Sequence, residues 1–328
     1  MTGKSAFVTG GTGFVGSHLV EHLLTNGYDQ VKCLVRSEPK WLRGLSVELV
    51  KGDLSNLAAL KDAVRGAEYV YHVGGLTRAK TLGELRDANV VGTMTLMRAV
   101  DEAAPYVRKI LVVSSLAAVG QCDADVADED TPLRPISMYG RSKAEMEEKL
   151  EEWTSRLPLT IVRPAAVYGP RESDIYTFFK AASRGVTAIV GEGTEPEVNL
   201  VYATDVARGA VDAAESTGTT GKIYFLGSER QYSWIEMRDA VVEALERRVF
   251  TVNIPPSMVL RLAGFVEKAA GLVGKYPPFN REKALEILDA CKMCSVDRAK
   301  SDFGYRQQVS LEVGVRRTVA WYQDKGWL

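Results

Sequence analysis

FVTGGTGFVGSHLV, residues 7–20, joins the end of a β-branched apolar run to an amphipathic stretch through regularly spaced glycines. Gly11, Gly13 and Gly16 satisfy G-x-G-x-x-G, and Gly10, Gly13 and Gly16 satisfy the related G-x-x-G-x-x-G. Glycines at these positions let the chain turn tightly, let the backbone approach a pyrophosphate and let the following helix pack closely on the strand. The helix amino terminus adds free N–H groups and a positive dipole end. Set between a strand and a helix at the head of the chain, the pattern predicts a dinucleotide site at Gly10, Thr12, Gly13, Phe14, Val15 and Gly16.

Outward from that turn, short β-branched runs alternate with amphipathic stretches through the first two thirds of the chain. Strands are predicted at residues 5–9, 31–35, 47–51, 69–73, 110–114 and 159–163, and helices at 15–25, 57–64, 89–104 and 139–156. Strict alternation implies right-handed crossovers. The expected fold class is therefore α/β, a Rossmann-type doubly wound parallel sheet with a smaller, mostly helical substrate lobe. After Pro164 glycine and proline become frequent, and residues 222–227 (KIYFLG) read as one late return to the sheet. From about Gln231 the chain reads as helices broken at Pro255-Pro256 and Pro277-Pro278. A dinucleotide-binding domain is thus expected at 1–163 plus about 203–228, and the substrate lobe at about 164–202 and 229–328.

With 328 residues the chain can form one large or two associated domains. Its 41 basic and 42 acidic residues leave a net charge of −1, which supplies no general field for nucleic acid or an anionic membrane. The longest apolar stretch, residues 257–274, contains Arg261, Glu267 and Lys268. It reads as a docked amphipathic helix rather than a membrane span. MTGKSAFVTG carries no pattern of a targeting leader. Four cysteines, Cys33, Cys122, Cys291 and Cys294, make no disulfide framework in a chain of this size, so a reducing, cytoplasmic location is expected. Cys291 and Cys294 form a C-x-x-C with no second cysteine pair, and His18, His22 and His72 all lie in the first quarter. The pair reads as half-buried residues on a late strand or helix end, not as a metal site.

The second strand ends in CLVRSEP, with Arg36 twenty residues past Gly16. A carboxylate there would hold adenosine ribose hydroxyls and repel a 2′-phosphate, whereas a guanidinium can grip the phosphate bidentately. NADP is therefore favoured, with NAD left open. Asp53, followed by Leu54 at the end of the third strand, is placed to accept from the adenine amino group or to cap the next helix.

MYGRSKAEMEEKL, residues 138–150, puts Tyr139 and Lys143 on one helical face. A tyrosine titrates near ~10, so an ammonium and a bound nicotinamide cation must lower that value before the phenol serves as a base near neutral pH. VVSSLAAVG, residues 112–120, ends a strand where the sheet's carboxyl edge faces a cofactor crevice, and supplies Ser114 and Ser115 as hydroxyls for a substrate oxygen.

In this order the glycine loop, the strand-end serine and the tyrosine–lysine pair resemble the extended short-chain dehydrogenase/reductase superfamily, the NAD(P)-dependent epimerase/dehydratase group. The resemblance spans nearly the whole chain, through GDL, YHVGGLT, NVVGT, YGRSK, VRPAAVYGP and VYATDVARG. It implies Tyr139 as general acid/base, Lys143 as the group that lowers its pKa and holds the nicotinamide ribose, and Ser115, in preference to Ser114, as the hydroxyl on the reacting oxygen. It implies Pro164 and Val167 beside the nicotinamide and Gly74 with Gly75 beneath the cofactor. Asn89 is expected to tie helix to strand.

Departures from the family's sugar enzymes narrow the reaction. Leu116 and Ala117 replace the Asp-Glu pair of dehydratases; Ala166 and Val198 stand where an asparagine and an arginine contact a sugar nucleotide. What remains resembles the dihydroflavonol reductase and 3β-hydroxysteroid dehydrogenase branch: hydride transfer between NADP(H) and a secondary alcohol or ketone of a largely apolar small molecule. A nucleotide-sugar epimerase, using Arg171 and Arg184 in another pose, and a catalytically silent cofactor-binding scaffold are the alternatives. The resemblance also suggests a homodimer through the helices at 89–104 and 139–156. The apolar helix at 258–273 reads as pocket lining, lid or lobe core.

Overall fold

The computed structural model describes residues 3–195, 197–271, 277 and 279–328. Seven strands, β1 (Lys4–Thr9), β2 (Tyr28–Val35), β3 (Glu48–Lys51), β4 (Tyr69–His72), β5 (Lys109–Val113), β6 (Leu159–Pro164) and β7 (Ile223–Leu226), form one parallel sheet. Their order is β7-β6-β5-β4-β1-β2-β3. Because the order reverses between β1 and β4, the loops after these strands diverge and leave a crevice at the carboxyl edge. The central strand β5, KILVV, is buried throughout, as a strand covered on both faces must be.

Helices cover both faces. α1 (Phe14–Thr25) and α5 (Ala203–Glu215) close one with Leu19, Leu23, Val206 and Ala210. α2 (Leu57–Val64), α3 (Gly92–Ala103) and α4 (Met138–Glu151) close the other with Leu60, Leu96, Met97 and Met146. α4 is fastened to the sheet by more than apolar contact: Glu147 on its inner face meets Arg163 of β6 at 2.6 Å, both side chains 3% exposed. The Ser114 hydroxyl donates to the same carboxylate.

Elsewhere the structure departs from expectation. The 89–104 helix begins as a wide π-helical turn, Asp87–Val91, before α3. α4 stops at Glu151, five residues short of 156. The region expected to be helical also contains Phe250–Ile254, a strand paired in parallel with Val186–Val190, 64 residues earlier. Pairing with a distant partner leaves no local signature in either segment. The helix Pro256–Gly271 starts on the second of two prolines, a first-turn position where the missing N–H has no acceptor to lose. Residues 272–273 of the expected helix, and Pro278, lie outside the described residues. Among the described residues no helix is long and apolar enough to cross a membrane.

The expectation of unpaired cysteines is corrected. Cys122 and Cys291 form a disulfide across 169 residues, with Cα atoms 5.5 Å apart, while Cys33 and Cys294 are free and buried. Composition excludes a disulfide-dependent scaffold but does not see one pair brought together where Met293–Cys294 forms a separate two-stranded sheet with Val126–Ala127.

Replacing Arg163 with Met leaves Glu147 charged and buried without its partner, which costs about 3–5 kcal/mol. Urea unfolding of R163M should therefore show a large loss. The double replacement Arg163→Met with Glu147→Leu should recover much of it, since no lone charge remains.

Candidate active site

The glycine turn leaves β1 at Thr9. Gly10 has φ +75°, and a Cβ there would lie 2.5 Å from the Gly74 nitrogen, so the loops after β1 and β4 touch backbone to backbone. A Cβ at Gly16 would come within 2.1 Å of the Gly10 carbonyl oxygen. The first turn of α1 has no acidic side chain and no side-chain cap, and the N–H groups of Phe14, Val15 and Gly16 have no backbone acceptor among the described residues. Those donors fit a dinucleotide's phosphates. Thr12 and Gly13 are open to solvent at the same end.

Beyond β2, Arg36 is exposed and has no ion-pair partner among the described residues. Asp53 folds onto its own turn, accepting from the Ser55 N–H at 2.9 Å and the Ser55 hydroxyl at 2.5 Å. Those bonds first, and then the field of Arg36, hold its carboxyl below the ordinary range. Asp53 is not the cap of the following helix; Asn56 is, accepting from the Ala59 N–H. Leu54 packs against Gly92 at the start of α3.

At the far side of the crevice the chain brings Ser115, Tyr139 and Lys143 together. Ser137 caps α4, accepting from the Gly140 N–H at 3.1 Å. Gly140 allows α4 to press on the turn after β5, where a Cβ would meet the Ala117 carbonyl oxygen at 2.3 Å. This close approach sets Tyr139 beside Ser115, whose hydroxyl also accepts from the Ala117 N–H at 3.1 Å. Ser114 points the opposite way, into the Glu147–Arg163 cluster. Lys143 is buried, and its ammonium donates to the Val113 carbonyl at 2.8 Å. A Cβ on Gly75 would lie 3.7 Å from that ammonium. Pro164 ends β6 alongside this edge, and Val167 lies in a short strand paired with Leu200–Tyr202.

Electrostatics in the cofactor-free chain run against one expectation. Burial, opposed by the Ser115 hydroxyl and reinforced by the Glu286 carboxylate, raises the Tyr139 phenol to about 12. Burial lowers Lys143 to about 8, against the field of Glu147. The phenol is therefore a neutral proton donor at pH 7.

Several residues escaped sequence reasoning. His72 is buried and lowered to about 3 by burial and by Lys143. The Thr93 hydroxyl donates to the Asn89 carbonyl at 2.6 Å, so it must accept from His72 Nε2 at 2.7 Å; His72 Nδ1 then accepts from the Thr9 hydroxyl at 2.6 Å, and that oxygen receives the Gly74 N–H at 3.2 Å. This one-way chain fixes the loop that carries Gly74. Asn89, expected to tie helix to strand, fixes the next residues, accepting from the Leu76 N–H at 2.7 Å while its amide donates to the Leu76 carbonyl and the Ser142 hydroxyl. From the lobe, Glu282 accepts the Met138 N–H at 3.0 Å. A histidine inside a wholly buried strand was the one available signal; the glutamates offered none.

Arg171, a candidate for binding a diphosphate, is committed elsewhere. Its guanidinium donates to Ser17 at 2.8 Å and Glu21 at 2.5 Å and lies 5.3 Å from the Trp41 ring centre. Val198 is buried in the lobe core and bonded backbone to backbone with Tyr232.

A doubly wound sheet with an open glycine turn at its switch point defines a dinucleotide-dependent enzyme. The chain belongs to the NAD dependent epimerase/dehydratase family, which it matches over residues 6–227. It is 30% identical to a ceramide reductase of Caulobacter vibrioides, over 98% of this chain and 95% of that one. The crystal structure of gox2253 superposes with a TM-score of 0.81 at 30% identity, covering 98% of this chain and 99% of that one. MoeE5, solved with UDP-glucuronic acid and NAD, shares the fold at 23% identity, with a TM-score of 0.76 over 98% of this chain and 99% of its own.

Lys143 carries a pH signature. Below about 8 both folded and unfolded chains hold its proton; between about 8 and 10.5 only the unfolded chain does. Stability contributed by this group therefore rises with pH through that window, by up to about 3 kcal/mol. Urea unfolding of wild type and Lys143→Met at pH 8 and pH 10 should show their difference shifting in favour of the wild type as pH rises.

Proposed function

We propose that the protein is an NADP(H)-dependent oxidoreductase that transfers hydride between nicotinamide and a secondary alcohol or ketone of a largely apolar small molecule. The observation that carries this reading is the Tyr139 phenol beside the Ser115 hydroxyl, with the Lys143 ammonium buried at the same sheet edge. The cofactor supplies or accepts the hydride when bound. In reduction, Ser115 donates a hydrogen bond to the substrate carbonyl oxygen and orients it, and Tyr139 gives that oxygen its proton. Lys143 donates to the Val113 carbonyl and, weakly, to the Met146 sulfur at 3.9 Å. Its remaining donor serves a ribose hydroxyl, and its charge stabilises the phenolate left behind.

In this reading Gly10, Thr12, Gly13, Phe14, Val15 and Gly16 cradle the pyrophosphate, and Arg36 meets the 2′-phosphate. Asp53 and Leu54 border the adenine; Gly74, Gly75, Pro164 and Val167 border the nicotinamide half. The dinucleotide then belongs to 1–163 plus about 203–228 and the substrate to the remaining lobe, with α3 and α4 as the surface for pairing two copies. An apolar carbonyl substrate is supported by the likeness to a ceramide reductase over the whole chain. The nucleotide-sugar alternative is weakened by Arg171, whose two terminal nitrogens are already held by α1.

Purified protein should oxidise NADPH with hydrophobic or cyclic ketones; tight binding of a UDP-sugar with no such turnover would replace the reading with the epimerase one. Tyr139→Phe should lower kcat by about 10²–10⁴ while leaving NADPH affinity unchanged. Unaltered turnover would remove the phenol from the reaction. Arg36→Asp should shift the ratio of kcat/KM for NADPH over NADH by about tenfold or more toward NADH, since a charge-assisted phosphate contact is worth roughly 1.5–3 kcal/mol.

A further inference from the structure

We propose that the outer face of the substrate lobe docks on an anionic lipid bilayer. Along the helix Pro256–Gly271, Met258, Leu262 and Phe265 recur at helical spacing and are exposed, Phe265 by 72%. At 100° per residue these side chains share one stripe, and Arg261 and Lys268 fall together along one flank of it. Next to this stripe on the helix, Val259 and Ala263 are buried against Ala284, while Leu260 beyond them is exposed.

The strand that leads into this helix continues the pattern. In the parallel pair of Phe250–Ile254 with Val186–Val190, Val186 sits opposite Phe250 and Ala188 opposite Val252. All four are exposed, Phe250 by 71%. The last rung, Val190 with Ile254, packs on the Val259–Ala263 core, so ladder and helix form one unit. Arg247 and Arg248 precede the exposed rung and are themselves exposed.

This pattern matches a surface that lies in a bilayer interface: apolar side chains enter the acyl boundary while cations on the flank reach headgroup phosphates. Arg248, Arg261 and Lys268 have no acidic partner among the described residues. The Glu267 carboxylate turns to the neighbouring helix, accepting the Arg281 N–H at 3.4 Å. Charge decides the occupant. Anionic headgroups neutralise the unpaired cations that flank the exposed apolar stripe. The inference goes beyond hydride transfer, and its test needs no turnover, so either can fail alone.

The full chain should sediment with phosphatidylcholine vesicles containing about a quarter phosphatidylglycerol, and about tenfold less with phosphatidylcholine alone. The double variant Leu262→Glu/Phe265→Glu should lose this binding by about tenfold or more while its melting curve and NADPH affinity are retained. A second variant, Arg261→Gln/Lys268→Gln, leaves the apolar stripe intact and should lose most of the preference for phosphatidylglycerol. Sedimentation with neither vesicle, or equal sedimentation of all three proteins, would overturn the proposal. So would a dimer in light scattering that the Leu262→Glu/Phe265→Glu variant dissociates, since the face would then belong to a second copy.

Discussion

The buried pair between Glu147 and Arg163 is the constraint on which the active-site geometry rests. It joins the inner face of α4 to β6, and the Ser114 hydroxyl closes it from the end of β5. Charges taken out of water are tolerated only when paired with good geometry, so this cluster admits very few placements of the helix. Lys143 and Tyr139 lie about one and two turns away on the same helix and inherit that placement. Ser114 is consumed in making it, which leaves Ser115 as the hydroxyl that faces the phenol.

Burial then sets the electrostatics. The same low-polarity surroundings push the phenol up and the lysine and His72 down, so each uncharged form gains. Burial and the Glu286 carboxylate govern the phenol, and the Ser115 hydroxyl rather than the ammonium opposes them. A bound nicotinamide cation would add a second positive charge, and the two together would favour the phenolate. His72, locked neutral between two threonines, contributes rigidity: it fixes the loop carrying Gly74 without adding charge beside the ammonium.

The lobe takes part in the site as well as covering it. Glu282 receives the Met138 N–H at the start of α4, and Glu286 acts on the phenol from the same lobe helix. The Cys122–Cys291 bond anchors the end of that helix to the loop between Ser115 and Tyr139. An acidic lobe helix against the amino end of α4 also sits well in the field of that helix's dipole. None of these three contacts has a local pattern, because each joins segments more than a hundred residues apart.

What the sequence determined by itself is what local physics governs. Glycine spacing made the turn after β1 legible, since only residues without a Cβ permit φ +75° at Gly10 and the contact with Gly74. Alternating β-branched and amphipathic runs made the parallel sheet legible, and the four-residue spacing made the shared face of Tyr139 and Lys143 legible. Tertiary structure decided the rest: the pairing of Val186–Val190 with Phe250–Ile254, the disulfide, the His72 chain, the capture of Arg171 by α1 and the turning of Ser114 onto Glu147. The reason is range. Backbone sterics and helical periodicity act over a few residues and are written into composition, whereas desolvation and close packing depend on which distant segments meet, and that is settled only when the chain has folded.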